Sequence, residues 1–90
     1  MAEVIWTRGA LRDLHRIFAY IREFRPQAAA RMADRIRQAA ANLATEEQRG
    51  RPIGGGRREL TIIWPYLIRY RLRGSDVIIL EVRHGARRPD

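Results

Sequence analysis

The sequence predicts an α+β fold in the order β-α-α-β-β-β, a helical hairpin packed on one face of an antiparallel sheet. Three observations carry this. Apolar residues recur at three- and four-residue steps through the first half, they switch to every second residue after position 56, and the later segments are joined by short Gly- or Pro-containing turns. Residues 3–6, rich in β-branched and aromatic side chains, form a short strand, and Thr7 is placed to N-cap a helix directly after it. Over residues 8–24 the side chains Leu11, Leu14, Phe18 and Ile21, with Ala10 and Ile17 beside them, make one helical stripe. Pro26 interrupts that pattern and suits the first turn of a second helix over residues 26–44, with the stripe Ala29, Met32, Ile36, Ala39 and Leu43. Its alanines favour helix and allow close approach, and so short a link makes the pair an antiparallel hairpin. Residues 48–56 hold four glycines and a proline and are expected to be loop. Strands are expected over residues 58–63, Tyr66–Arg73 and 77–83, joined by Trp64-Pro65 and Gly74-Ser75-Asp76. Strands in sequence with short turns pair antiparallel, and the hairpin covers one face of them.

Alternation then places Tyr66, Ile68, Tyr70 and Leu72 on one side of their strand and Leu67, Arg69, Arg71 and Arg73 on the other. Ile78, Leu80 and Val82 are expected to share a face opposite Glu81 and Arg83. The uncovered face should therefore carry Arg69, Arg71 and Arg83, partly balanced by Glu59 and Glu81.

At 90 residues the chain is expected to be a single domain, residues 1–90, with a small core. There is no cysteine, which excludes a disulfide framework, a thiolate metal site and a cysteine nucleophile. No apolar run approaches a membrane span and no signal-peptide pattern opens the chain, so a cytoplasmic location with no membrane contact is expected. The 18 basic residues are all arginine and outnumber 10 acidic ones, for a net charge of +8. That surplus suits an acidic partner, nucleic acid or protein. The missing lysine is compatible with GC-rich codon usage, and it also excludes lysine-based catalysis, because arginine does not give up its proton.

His15 and His84 have no metal-ligand spacing to the carboxylates, so neither metal nor cofactor is expected. Ser75, the only serine, sits in a turn that accounts for it, and Gly54-Gly55-Gly56 leads into a strand rather than the helix a phosphate loop requires. Arg8, Arg12 and Arg16 form a stripe at i, i+4, i+8 that is either a solvated face or a docking strip. Two chemistries remain open. Metal-free RNA cleavage needs cations for the phosphorane and groups for proton transfer, for which Arg58, Arg69, Arg71 and Arg83 and then His84 are available. The alternative is binding without catalysis, with the arginines gripping a target and blocking it. His84 can equally be a strand-end residue bonded to the tail. Trp64 and Tyr66 are assigned to the core, with a place lining a partner groove as the alternative.

One ordered set of segments goes further: the opening strand with Trp6; Ala10-Leu11-Arg12-Asp13-Leu14, then Ile17 and Tyr20-Ile21; Gly56-Arg57-Arg58-Glu59-Leu60; Pro65-Tyr66-Leu67-Ile68-Arg69-Tyr70-Arg71; and Val77-Ile78-Ile79-Leu80-Glu81-Val82-Arg83-His84-Gly85-Ala86-Arg87. In order, spacing and total length these resemble the RelE/ParE superfamily of bacterial type II toxins, and its ParE-like branch more closely. The resemblance implies a helical hairpin on an antiparallel sheet, and a cytoplasmic toxin neutralised by a ParD-like antitoxin with an acidic C-terminal segment. It also implies that DNA is contacted only through that antitoxin. Arg8, Arg12 and Arg16 with Leu11, Leu14 and Phe18 are the expected antitoxin-binding set. The target, DNA gyrase in the ParE-like branch, would be met by Arg69, Arg71, Arg83, His84, Arg87 and Arg88. The RelE-like alternative, ribosome-dependent mRNA cleavage, would use Arg58, Arg83 and His84; against it stand the absence of lysine and of a tyrosine after His84.

Overall fold

The computed structural model describes residues 2–85, with Ile63 in its backbone alone. Its elements are β1 (Val4–Trp6), α1 (Arg8–Arg22), α2 (Pro26–Asn42), β2 (Arg51–Gly54), β3 (Arg57–Ile63), β4 (Tyr66–Arg73) and β5 (Asp76–His84). The strands form one sheet in the order β1-β5-β4-β3-β2, with both helices on one face. Two features depart from the sequence expectation. Residues 51–54, expected as loop, form the edge strand β2 against β3, because the left-handed glycines begin only at Gly54, with φ of 91°. Pro52 is tolerated there, since an edge strand has one side without a ladder partner. The sheet is also mixed: β1 runs parallel to β5, while the other pairs are antiparallel. No turn ties β1 to its neighbour, so the hairpin rule that governs the later strands does not reach it.

Thr7 joins β1, α1 and β5. Its Oγ1 accepts from the Ala10 N–H at 3.1 Å and donates to the Ile79 carbonyl at 2.9 Å, while its own N–H donates to Ile79 O at 3.1 Å. Loss of such a cap costs about 1 kcal/mol. Pro26 opens α2 with no side-chain cap, which its fixed φ favours. Leu14, Ala33, Ile36, Ala40 and Leu43 from the helical segment meet Ile68, Tyr70, Val77, Ile79 and Val82 from the sheet. Burying each of the larger aliphatic side chains contributes about 1.5–3 kcal/mol.

The alternation expected in β5 breaks at Leu80. The register pairs Arg69 with Glu81 and Tyr70 with Ile79, so Leu80 is an extra residue, a β-bulge. Val77, Ile79 and Val82 are therefore the buried side chains, rather than Ile78, Leu80 and Val82. The bulge sits where the Thr7 hydroxyl also approaches Leu80 O, at 3.3 Å. At the other end of the core, Tyr70 donates to Glu47 O and accepts from Gly50 N–H, each at 2.8 Å. Residue 50 is glycine for want of room: a Cβ would lie 2.7 Å from the Tyr70 ring. Among the described residues no helix is long and apolar enough to cross a membrane.

Candidate functional site

The short length of β1 creates a groove. β1 pairs with β5 only over Val77–Ile79, and the chain then turns into α1, leaving the rest of the β5 edge beside that helix. Asp13 on α1 takes the place of a strand partner there, its Oδ2 accepting from the Val82 N–H at 3.1 Å. The cavity alongside, about 630 Å³, is lined by Asp13, Arg16, Ile17 and Tyr20 of α1, Tyr66 of β4 and residues 81–84 of β5. Tyr66 and His84 meet edge to face at 5.2 Å, and the enclosed His84 Nδ1 has no hydrogen-bond partner among the described residues. At the groove's rim Tyr20 and Phe24 form an exposed edge-to-face pair at 5.4 Å; elsewhere on α1 the Arg22 guanidinium lies over Phe18 at 5.6 Å. Tyrosines, an apolar wall and cations of this kind suit a protein segment that carries both apolar and acidic side chains.

The uncovered sheet face is organised by register. Arg51, Glu59, Arg69 and Glu81 stand directly opposite one another across β2, β3, β4 and β5. Glu59 accepts from Arg51 at 2.8 Å and from Arg69 at 3.0 Å. Glu81 receives Arg83 at 3.2 Å and lies 3.7 Å from Arg69. Burial pushes the Glu59 carboxyl up, but hydrogen bonds and charge from Arg69 and Arg51 outweigh it and hold the group below the ordinary 4.5. Two residues along β3, on the same face, Arg57 stands opposite Arg71, and Arg73 lies beyond.

The expected site residues separate accordingly. Arg69, Arg71 and Arg83 share the open face, but Arg69 and Arg83 are tied to carboxylates, whereas Arg71 donates to the Gly55 carbonyl, at 3.2 Å. Arg58 faces the helices, opposite Tyr70, and its Nη1 donates to Gly50 O at 2.7 Å and Gln48 O at 3.2 Å. His84 stands opposite Tyr66, four residues from Tyr70 along β4, so Arg58 and His84 are offset by about 13 Å along the strand direction. Arg83 projects to the opposite face from Arg58. Arg8, Arg12, Arg16 and Leu11 are exposed on α1, and Phe18 is half-buried. Leu14 is a correction: at 3% exposure it belongs to the core and cannot meet a partner, because α1 turns the Ala10–Leu14 edge of its stripe inward. Trp64, assigned to the core, is another, since it is 70% exposed in the turn between β3 and β4. Arg87 and Arg88 lie outside the described residues. Among the described residues no three His, Cys, Asp or Glu side chains gather as a metal site. Sequence reasoning missed Asp13 and Tyr20 as groove residues; their helical spacing to Arg16 and Ile17 was the available signal.

Fold and groove together describe a small α+β protein with a helical hairpin on one face of a sheet, and comparison with known proteins makes this specific. Residues 4–89 match the family described as ParE toxin of type II toxin-antitoxin system, parDE; the chain belongs to this family. Two toxins of Caulobacter vibrioides are similar: RelE2, 47% identical over 97% of this chain and 99% of its own, and RelE1, 38% identical over 84% and 85%. A solved chain of the chromosomal ParDE TA system from P. aeruginosa superposes with a TM-score of 0.83 at 28% identity, over 93% of this chain and 96% of that one.

Proposed function

We propose that this toxin inhibits DNA gyrase without cutting RNA, and that a ParD-like antitoxin neutralises it. The observation that carries the reading is the separation of the nuclease candidates. Arg58 is committed to two backbone carbonyls on the helix side, about 13 Å along the strand direction from His84, whereas Arg83, paired with Glu81, and His84 both reach the α1–β5 groove. With Arg58 held away, two cations and one proton-transfer group do not converge on a single phosphate, as phosphodiester cleavage requires. The antitoxin's acidic C-terminal segment would follow Arg8, Arg12 and Arg16 on α1 and seat apolar side chains against Leu11, Phe18 and Tyr20. Arg69, Arg71, Arg83 and His84 remain the proposed target-facing set.

One observation favours a second reading, RelE-like ribosome-dependent mRNA cleavage: Arg16, Arg83 and His84 line the same groove, and the similar Caulobacter proteins are named RelE. Purified toxin decides between them. Loss of gyrase supercoiling, reversed by antitoxin, supports the first. Unaffected gyrase together with cleavage of ribosome-bound mRNA, abolished by His84→Ala, supports the second.

A further inference from the structure

At one end of the uncovered sheet face the arginines form no ion pair among the described residues. Arg57 and Arg71 stand directly opposite each other on β3 and β4, and Arg73 lies two residues, about 6.6 Å, further along β4. Like charges directly opposite in a sheet oppose folding. None of the three forms an ion pair among the described residues. Arg57 and Arg71 donate to the carbonyls of Gly54 and Gly55, at 3.5 and 3.2 Å, and keep further N–H groups for a ligand. Asp76 faces Arg73 in the register, but its Oδ1 accepts from the Glu3 N–H, at 3.3 Å.

The two hairpins at this end are tipped with glycine. Gly54, Gly55, Gly56 and Gly74 all have positive φ, and a Cβ on Gly54, Gly56 or Gly74 would meet nothing within 4 Å. Bare backbone therefore projects beside the cations, where it can approach a ligand closely. Arginine forks match phosphate oxygens. The exposed aromatic residues Tyr20, Phe24 and Trp64 belong to α1, the helical turn and the opposite sheet end, so the corner offers no stacking platform for single strands. A two-stranded ribbon fits the major groove of B-form DNA, whereas the A-form groove is too deep and narrow for it; here the β2–β3 ribbon carries Arg57 and the β4–β5 ribbon carries Arg71 and Arg73. We propose that Arg57, Arg71 and Arg73, with the glycine tips, form a contact surface for the phosphate backbone of duplex DNA. This departs from the expectation that DNA is reached only through the antitoxin, and it does not rest on gyrase as the target.

The test is binding of the full toxin alone to a fluorescein-labelled DNA duplex of arbitrary sequence, read by anisotropy across a salt series. Three phosphate contacts predict a slope of log K against log salt of about −2.7, or about a 40-fold loss of affinity between about 50 and 200 mM salt. Each of Arg57→Ala, Arg71→Ala and Arg73→Ala should flatten the slope by about 0.9, while Arg71→Lys should keep it. Replacing Arg8, Arg12 and Arg16 together by alanine should leave the slope unchanged. Salt-insensitive or absent binding of the wild type overturns the inference. So does a triple Arg57/Arg71/Arg73→Ala variant that folds and binds like the wild type, loss of binding in the α1 variant instead, or tighter binding of an RNA duplex or a polyglutamate peptide. Gyrase and mRNA assays on the same preparations report on the target separately.

Discussion

The two ends of the uncovered sheet face use the same residue type to opposite effect. In the Arg51–Glu59–Arg69–Glu81–Arg83 row each guanidinium finds a carboxylate within 3.7 Å, and the charges hold four strands in register. Two residues along, Arg57 meets Arg71 and Arg73 lies beyond, with no ion pair among the described residues. Both regions arise from the same period-two alternation, so alternation alone does not separate a structural arginine from an available one. Register does, because it decides what stands across the neighbouring strand.

The largest effect should come from breaking the paired region. Glu59 is buried and joins two cations, so Glu59→Ala leaves Arg69 half-buried with only the more distant Glu81. A loss of about 2–4 kcal/mol is expected in urea unfolding, against less than about 0.5 kcal/mol for Arg71→Ala at the other end. Equal losses for the two variants would erase the contrast.

Acid sharpens the same comparison. The Glu59 carboxyl titrates lower in the folded chain than its ordinary 4.5. Its contribution is therefore complete above the unfolded value and is lost as pH falls through the depressed folded one. The stability gap between wild type and Glu59→Gln should stay constant from about pH 7 to 5 and then narrow below the unfolded value. The gap between wild type and Arg71→Ala should not share that profile. A Glu59→Gln gap that stays flat to low pH would show that the carboxylate's charge adds nothing.

Much of the architecture was legible in the sequence, for identifiable physical reasons. Thr7 as cap, Pro26 at a helix start and the change of period after Gly56 are local signals, and each is where the structure has it. What was not legible depends on contacts distant in sequence. The bulge at Leu80 lies where Thr7 takes the carbonyls of β5, some seventy residues away, and it moves Ile78 to the open face and Ile79 into the core. Arg58 looked like a phosphate cation, but it faces Tyr70 and holds the carbonyls of residues 48 and 50, a role visible only once the loop is seen to pack on β4. Leu14 shared a helical stripe with Leu11, and only the depth of the core divides them. The groove itself depends on β1 stopping at Trp6, which leaves Asp13 to satisfy Val82.

The smallest effect tests whether the unpaired region is tuned for something other than stability. Arg71→Glu converts the facing Arg57–Arg71 pair into opposite charges. Removing one repulsion and adding one attraction across the strands should stabilise the chain by about 0.2–1 kcal/mol, read as a higher urea midpoint with an unchanged denaturant slope. The same substitution removes one proposed phosphate contact and sets an anion beside the other two, so DNA affinity should fall by more than for Arg71→Ala. A gain in stability coupled to a loss of binding is what a surface kept repulsive for an external anion requires. If Arg71→Glu instead destabilises the chain, the hydrogen bond from Arg71 to the Gly55 carbonyl outweighs the repulsion from Arg57, and the two ends of the sheet differ less than their register implies.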